Sequence, residues 1–228
     1  MRDAVAGYRF DPSSVLVLLT GAVALAAVLV DRVWWRARNV ITIVHEGGHA
    51  VAALITGRRL KGIRLHSDTS GLTVSVGRPD GPGMVLTSAA GYLSPSLLGL
   101  CGVAVLAGGW VTITLWVVVA LLLAMLFLIR NGYGVLSVLL TGATVGLVAW
   151  YGSADVQAAF GHTATWFLLI GGVRPVGELQ RRRRAGAAWN SDADQLARLT
   201  SSPAWLWVGL FGAASLGALA AGAWLLLR

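Results

Sequence analysis

Four runs of apolar residues constrain this chain more than anything else in it. Val15–Val30, Val111–Ile129, Val135–Trp150 and Trp205–Leu227 each approach or reach the roughly 20 residues that cross a bilayer as a helix. In hydrocarbon every backbone polar group must find its partner inside the protein, so such runs fold as helices packed side by side. Charge content agrees, because Asp, Glu, Lys and Arg make up 12% of the residues, where a soluble domain carries about 25%. The chain reads as an all-α polytopic membrane protein, a single integral membrane domain over residues 1–228. Asp3, Arg9 and Asp11 precede the first run, and no small-residue cleavage site is evident before Asp31, so the run is expected to remain as a span.

Six or seven transmembrane helices are expected, at about 13–34, 39–57, 83–107, 110–129, 132–151, 158–173 and 204–227, the sixth short and interrupted by glycine. Two stretches break the pattern. Residues 60–79, LKGIRLHSDTSGLTVSVGRP, alternate with period two. Ile63 and Leu65 repeat on one arm, Leu72, Val74 and Val76 on the other, and Ser67–Gly71 supply turn chemistry between them. This is a short β-hairpin inserted after the second segment. Residues 174–203 are hydrophilic, open with a dense basic run, and read as a cytoplasmic basic loop.

The net charge of +8 does not call for nucleic acid, because in a membrane protein Lys and Arg collect on the cytoplasmic side. The lipid bilayer is the expected partner. With seven spans and residues 174–203 in the cytoplasm, the hairpin, Arg130 and the N-terminus with Arg2 and Arg9 share that side. Only Arg32, Arg36, Arg38 and Arg228 fall opposite the other fourteen basic residues. The cluster DRVWWRAR at 31–38 disturbs this count, and a re-entrant second segment is the alternative. Trp34, Trp35, Trp110, Trp150, Trp205 and Trp224 lie near predicted span ends, as aromatic belts do. The run Arg181–Arg184 reads as a topology determinant, with anionic headgroups as a further partner. The single cysteine, Cys101, excludes a disulfide framework and a cysteine metal cluster.

Within the second segment lies His45-Glu46-Gly47-Gly48-His49, the pattern H-E-x-x-H. On a helix the two histidines share a face and can hold one Zn²⁺, with Glu46 beside the open coordination position as general base. Ionisable groups inside a span cost several kcal/mol, on the order of 3 or more, and usually mark function. Gly47 and Gly48 are expected to let another backbone approach closely. A hydrolytic zinc site needs a third protein ligand. His66 lies in the hairpin and His162 begins the sixth segment, so carboxylates are preferred. In WNSDADQLARLT, Asn190 and Ser191 are N-cap candidates, and Asp192 and Asp194 follow in a first helical turn. Asp192 is preferred over Asp194, although acidic residues there stabilise a helix with no metal at all. Asp68, Asp80 and Glu178 are outsiders.

A membrane-embedded HEGGHA helix, a β-hairpin just after it and an acidic residue far downstream resemble the site-2 protease family of intramembrane zinc metalloproteases, in a small bacterial branch. The resemblance implies Zn²⁺ held by His45, His49 and a distal Asp, with Glu46 activating water. It also implies a multi-pass protein of the bacterial cytoplasmic membrane that cleaves membrane-spanning protein substrates near the cytoplasmic face, as in regulated intramembrane proteolysis. The family's Asn-Pro-Asp-Gly or Leu-Asp-Gly stretch is absent, and Asn190–Gln195 take that place by position and chemistry.

Proteases bind substrate extended, and a free strand edge can pair with such a segment. Leu72–Gly77, with Leu72 and Val74, is the candidate edge, against a hairpin that merely caps the bundle. Asn131 is a candidate donor to the developing oxyanion, against a plain interfacial cap. Two other classes stand beside the protease. One is a catalytically inactive scaffold that binds membrane segments. The other is a metal transporter or sensor, although the third to fifth segments offer almost no ligands. The sequence carries no signal for oligomeric state.

Overall fold

A computed structural model describes residues 14–187 and 190–228; Arg2 and Arg9 lie outside them. The described residues form α1 (Ser14–Leu29), α2 (Asp31–Ile55), β1 (Arg59–Leu65), β2 (Gly71–Val76), α3 (Pro82–Gly108), α4 (Val111–Leu126), α5 (Gly132–Tyr151), α6 (Ala154–Arg184), α7 (Asp192–Thr200) and α8 (Ala204–Leu226). Only α3, α5 and α8 are each long and apolar enough to cross a membrane, and α1 with α2 would add a fourth span as a bent pair. Length and composition thus support three or four of the six or seven expected spans.

The other helices fall short of that length and composition for physical reasons. α4 has 16 residues, about 24 Å of helix against a hydrocarbon core of about 30 Å. α2 carries Asp31, three arginines and the polar motif. α6 buries Gln157, His162, Thr165, Gly171 and Gly172 among its neighbours, so it has no need of a lipid-facing apolar surface. α6 also runs on through Pro175 to Arg184. The segment expected as a loop at 174–203 is thus a helix as far as Arg184, a break, and then the short helix α7. Four arginines in the last turn of α6 suit its partly negative C-terminus.

α1 and α2 meet at 101° around Val30. α1 runs parallel to α6: Trp166 Nε1 donates to the Val17 carbonyl at 3.2 Å, and a turn and more further on Arg174 donates to the Val28 carbonyl. The corner that follows is bound to the polar half of α6. Arg38 pairs with Glu178 at 3.1 Å, Trp34 Nε1 donates to Glu178 at 3.0 Å, and Arg174 reaches Asp31 at 2.5 Å. Asp31–Arg38 and Arg174–Glu178 therefore lie at one end of the molecule, where seven alternating spans would separate them. Trp34 is correspondingly a core residue, 1% exposed, and not part of a belt. Trp35, Trp110, Trp150, Trp205 and Trp224 are exposed.

Small residues allow the central helices to touch. A side chain at Gly99 or Gly222 would meet Leu169, one at Gly102 would meet Thr165, and one at Gly172 would meet Ser96. These contacts run α3 and α8 antiparallel to α6. α4 and α5 pair as an antiparallel arm, joined through Leu115, Val145 and Ala149.

The hairpin forms as expected, antiparallel, with Arg64 opposite Leu72 and Arg59 opposite Val76. Ile63 and Leu65 are fully buried, while Leu72, Val74 and Val76 face outward. In the turn, Asp68 accepts from Ser70 N at 2.9 Å and Ser70 Oγ at 2.6 Å, and these bonds hold its carboxyl below the usual carboxylate range. β1 is paired on both sides: its far edge meets the α4–α5 turn, with Ile63 N donating to Leu128 O at 2.8 Å and Arg130 N to Ile63 O at 2.9 Å. The open edge of the sheet is β2.

Candidate metal centre

One turn of α2 separates His45 from His49, so both imidazoles leave the helix on one side, and Glu46 projects about 100° round from His45. His49 Nδ1 donates to the Thr87 carbonyl of α3 at 2.7 Å. That bond fixes the tautomer and leaves the Nε2 lone pair free. It faces His45 Nε2 at 3.1 Å. Asp192 Oδ2 completes a triangle, 3.2 Å from His45 Nε2 and 3.4 Å from His49 Nε2.

Three electron-pair donors converging at this spacing repel one another unless a proton or a cation lies between them. Four-coordinate zinc with bonds of about 2.0 Å has ligand atoms about 3.3 Å apart, and the observed separations of 3.1–3.4 Å match that edge. The residues fit a metal ion, and the group could hold one.

α7 delivers Asp192. Ser191 caps the helix in a reciprocal capping box with Asp194, and Arg183 at the end of α6 pairs with Asp194. Asp194 is thereby engaged away from the histidines, and Asp192, at the first helical position, is the carboxylate brought against them. Ala193 and Leu196, fully buried beside Ala89, Val176, Leu179 and Phe211, seat α7 on the core. Burial raises the Asp194 carboxyl pKa, but the Arg183 and Ser191 bonds prevail and hold it below its ordinary value.

Glu46 is buried at 3% exposure, beneath the hairpin. Thr73 Oγ1 donates to its Oε2 at 2.6 Å, and β2 passes so closely that a side chain at Gly71 would overlap the carboxylate. Thr42, one turn earlier on α2, donates to the Thr69 carbonyl of the hairpin turn at 2.8 Å. The hairpin is thus fastened along the Glu46 side of α2, with its open edge beside the motif.

The other candidates are placed elsewhere. Leu72 and Val74 stand exposed on β2, 51% and 40%, where a second strand could reach them. Asn131 spends its side-chain amide on Leu65, donating to its carbonyl at 2.6 Å and accepting its N–H at 3.2 Å. This anchors β1 to the α4–α5 turn. Asp68 holds the hairpin turn, Glu178 the α1–α2 corner, and Asp80 pairs at 3.6 Å with exposed Arg78. His66 bonds Ser70, and His162 is satisfied by the Ala158 carbonyl at 2.8 Å. Of the two motif glycines, Gly48 packs against Ser94 and the Ala90 carbonyl of α3, whereas Gly47 faces open space.

Sequence reasoning missed several residues around the centre. Gly91 of α3 is one: a side chain there would overlap both imidazoles, and a glycine in an apolar run gives no sign of that. Tyr92 stands with its ring edge-on to His45 at 4.9 Å and stacked on Phe211 at 5.0 Å. Thr73 had a signal, being the polar residue of alternate inward parity between Leu72 and Val74. Arg183 could not be told from its three neighbours.

The family model described as Peptidase M50B-like matches residues 18–222. The chain belongs to the Peptidase M50B-like family. This is the site-2 protease family that the HEGGHA helix, the hairpin and the distal acid resemble. Searches of curated proteins and of solved structures returned no match. The M50B-like match covers α2, the hairpin and α7 together, so every residue of the converging triad lies inside it.

Proposed function

We propose that this M50B-like chain is an intramembrane zinc endopeptidase that hydrolyses membrane-spanning protein substrates near the cytoplasmic face of a bacterial membrane. The observation that carries the reading is the convergence of His45 Nε2, His49 Nε2 and Asp192 Oδ2 at 3.1–3.4 Å, with the Glu46 carboxylate on the same helix. Zn²⁺ bound there supplies Lewis acidity to a peptide carbonyl and lowers the pKa of water toward neutrality. Glu46 takes the proton from the attacking water and returns it to the leaving amine. Thr73 holds one carboxylate oxygen of Glu46 still while this happens. An unwound substrate segment pairs with the open edge of β2, and Leu72 and Val74 contact its side chains. Asn131 contributes by keeping β1 in place through Leu65.

Metal content of the purified protein tests the reading. About one zinc per chain is expected in the wild type and in Glu46→Gln, with loss in His49→Ala and Asp192→Ala and retention in Asp194→Ala at reduced affinity. Glu46→Gln abolishes cleavage while keeping its zinc. A Glu46→Gln variant with undiminished cellular function would replace the enzyme by an inactive scaffold. The transporter reading is disfavoured because, among the described residues, no second group of three His, Cys, Asp or Glu side chains converges to continue a metal path.

A further inference from the structure

We infer that Arg183, through its ion pair with Asp194, is a positioning residue that sets the rotation of α7 and with it the metal affinity of Asp192. The inference rests on the proposed metal centre and adds a determinant that the H-E-x-x-H pattern does not contain.

α7 is nine residues long and meets the rest of the molecule on two sides. Ala193 and Leu196 sit fully buried on the core side. At 100° per residue, Asp192 lies at one border of that buried face and Asp194 on the far side of the helix, about 200° from Asp192. Packing of two small contacts fixes where the helix axis lies, but it leaves the helix free to roll by the few degrees that move a carboxylate oxygen out of the triangle. A tether on the opposite face removes that freedom. Arg183 is that tether: it extends from the last turn of α6 and binds Asp194 Oδ1, while Ser191 N and Oγ donate to Asp194 Oδ2 at 3.2 Å and 2.6 Å. Both oxygens of Asp194 are thus used, one toward α6 and one toward the cap.

The pair is shielded enough to matter. The Arg183 and Asp194 side chains are 22% and 17% exposed, well short of the solvated surface pairs that contribute little. α6 is itself fixed at this end by Glu178, which joins it to Arg38 and Trp34 of α2. The rigid path therefore runs from α2, which bears the histidines, across Glu178 to Arg183 and on to the helix that bears Asp192. Arg181, Arg182 and Arg184 are exposed. The basic run thus contains one residue with a specific structural task among three that face solvent.

Residues that orient metal ligands typically change affinity by about 10–100-fold when removed. The experiment is zinc binding by the metal-stripped full chain in detergent micelles, by competition with a chromophoric chelator, with far-UV circular dichroism to check folding. Arg183→Gln and Asp194→Asn should each weaken zinc about 10-fold or more, and the double variant should be no weaker than the worse single, since the two act as one unit. The conservative Arg183→Lys, which keeps the charge and leaves the Asp194 cap intact, should bind zinc more tightly than Arg183→Gln, and Arg184→Gln should bind as wild type does. A folded Arg183→Gln chain with wild-type affinity would overturn the inference. So would an Arg183→Lys chain that binds zinc no better than Arg183→Gln. Asp194→Asn keeps an acceptor for the cap and serves if Arg183→Gln fails to fold. A wild-type chain that binds no zinc would instead overturn the metal centre, and this inference with it.

Discussion

At the scale of single residues the centre depends on what is absent as much as on what is present. The neighbouring glycines of the motif look alike in sequence, yet a methyl group at position 48 would run into Ser94 and the Ala90 carbonyl, while one at position 47 meets nothing within 4 Å. Gly48→Ala should therefore destabilise by about 1–3 kcal/mol through overpacking, and Gly47→Ala should stabilise by about 0.5–1 kcal/mol through helix propensity. Thermal unfolding in micelles separates the two. Gly91→Ala should cost metal, because the added carbon lies where both imidazoles sit. Thr73 gives a kinetic prediction. Thr73→Val removes a hydrogen bond to a charged group and should lower kcat roughly 10-fold or more, leaving KM and zinc content unchanged, and Thr73→Ser should restore it. The grouping of His45, His49 and Asp192 was legible in the sequence because histidines at i and i+4 share a helix face, and Asp192 follows the N-cap candidates Asn190 and Ser191. Thr87, Gly91 and Arg183 were not, since they act through backbone, through lack of a side chain and through one charge among four.

At the scale of elements, side-chain hydrogen bonds hold the hairpin alongside the burial of Ile63 and Leu65 in an apolar cluster with Ile43, Met125, Ile129 and Val138. Thr42 and Glu46 of α2 hold its turn and β2, and Asn131 holds β1. Asn131→Ala removes both bonds to Leu65 and should destabilise by about 1–3 kcal/mol, leaving buried backbone groups unpaired. Its zinc content should stay at the wild-type level, and amide exchange along β1 should rise. Alternation of Ile63 and Leu65 against Leu72, Val74 and Val76 was enough to find both strands and their turn, because a one-residue slip would exchange buried and exposed faces. The ends of α3, α5 and α8 were equally legible, since bilayer length and terminal Gly, Pro and Trp mark them. α6 was not. Its hydrophilic half resembles a loop in composition, and only its packing against α1, α3 and α8 reveals one continuous helix.

At the scale of the whole molecule, counting one crossing per apolar run did not anticipate the 101° corner between α1 and α2. The break at Val30 leaves no trace in hydropathy, and Asp31–Arg38 is charged whether it turns back or goes on. The structure shows the turn: α1 runs parallel to α6, and the α1–α2 corner is bonded to the polar end of α6. Single cysteines test this directly. In a Cys101→Ala background, Arg36→Cys and Arg184→Cys should react with a membrane-impermeant maleimide from the same side of the membrane. Seven alternating spans require opposite sides.

The separation of the three converging side chains along the chain has a consequence in time. His45 and His49 are made early and Asp192 follows more than 140 residues later. At about 5–20 residues per second of synthesis, the newborn chain carries its histidines and Glu46 for roughly 7–30 s before the third member of the group exists. A metal group built from one local motif would be complete early in synthesis; in this chain Asp192 is made only after α1–α6.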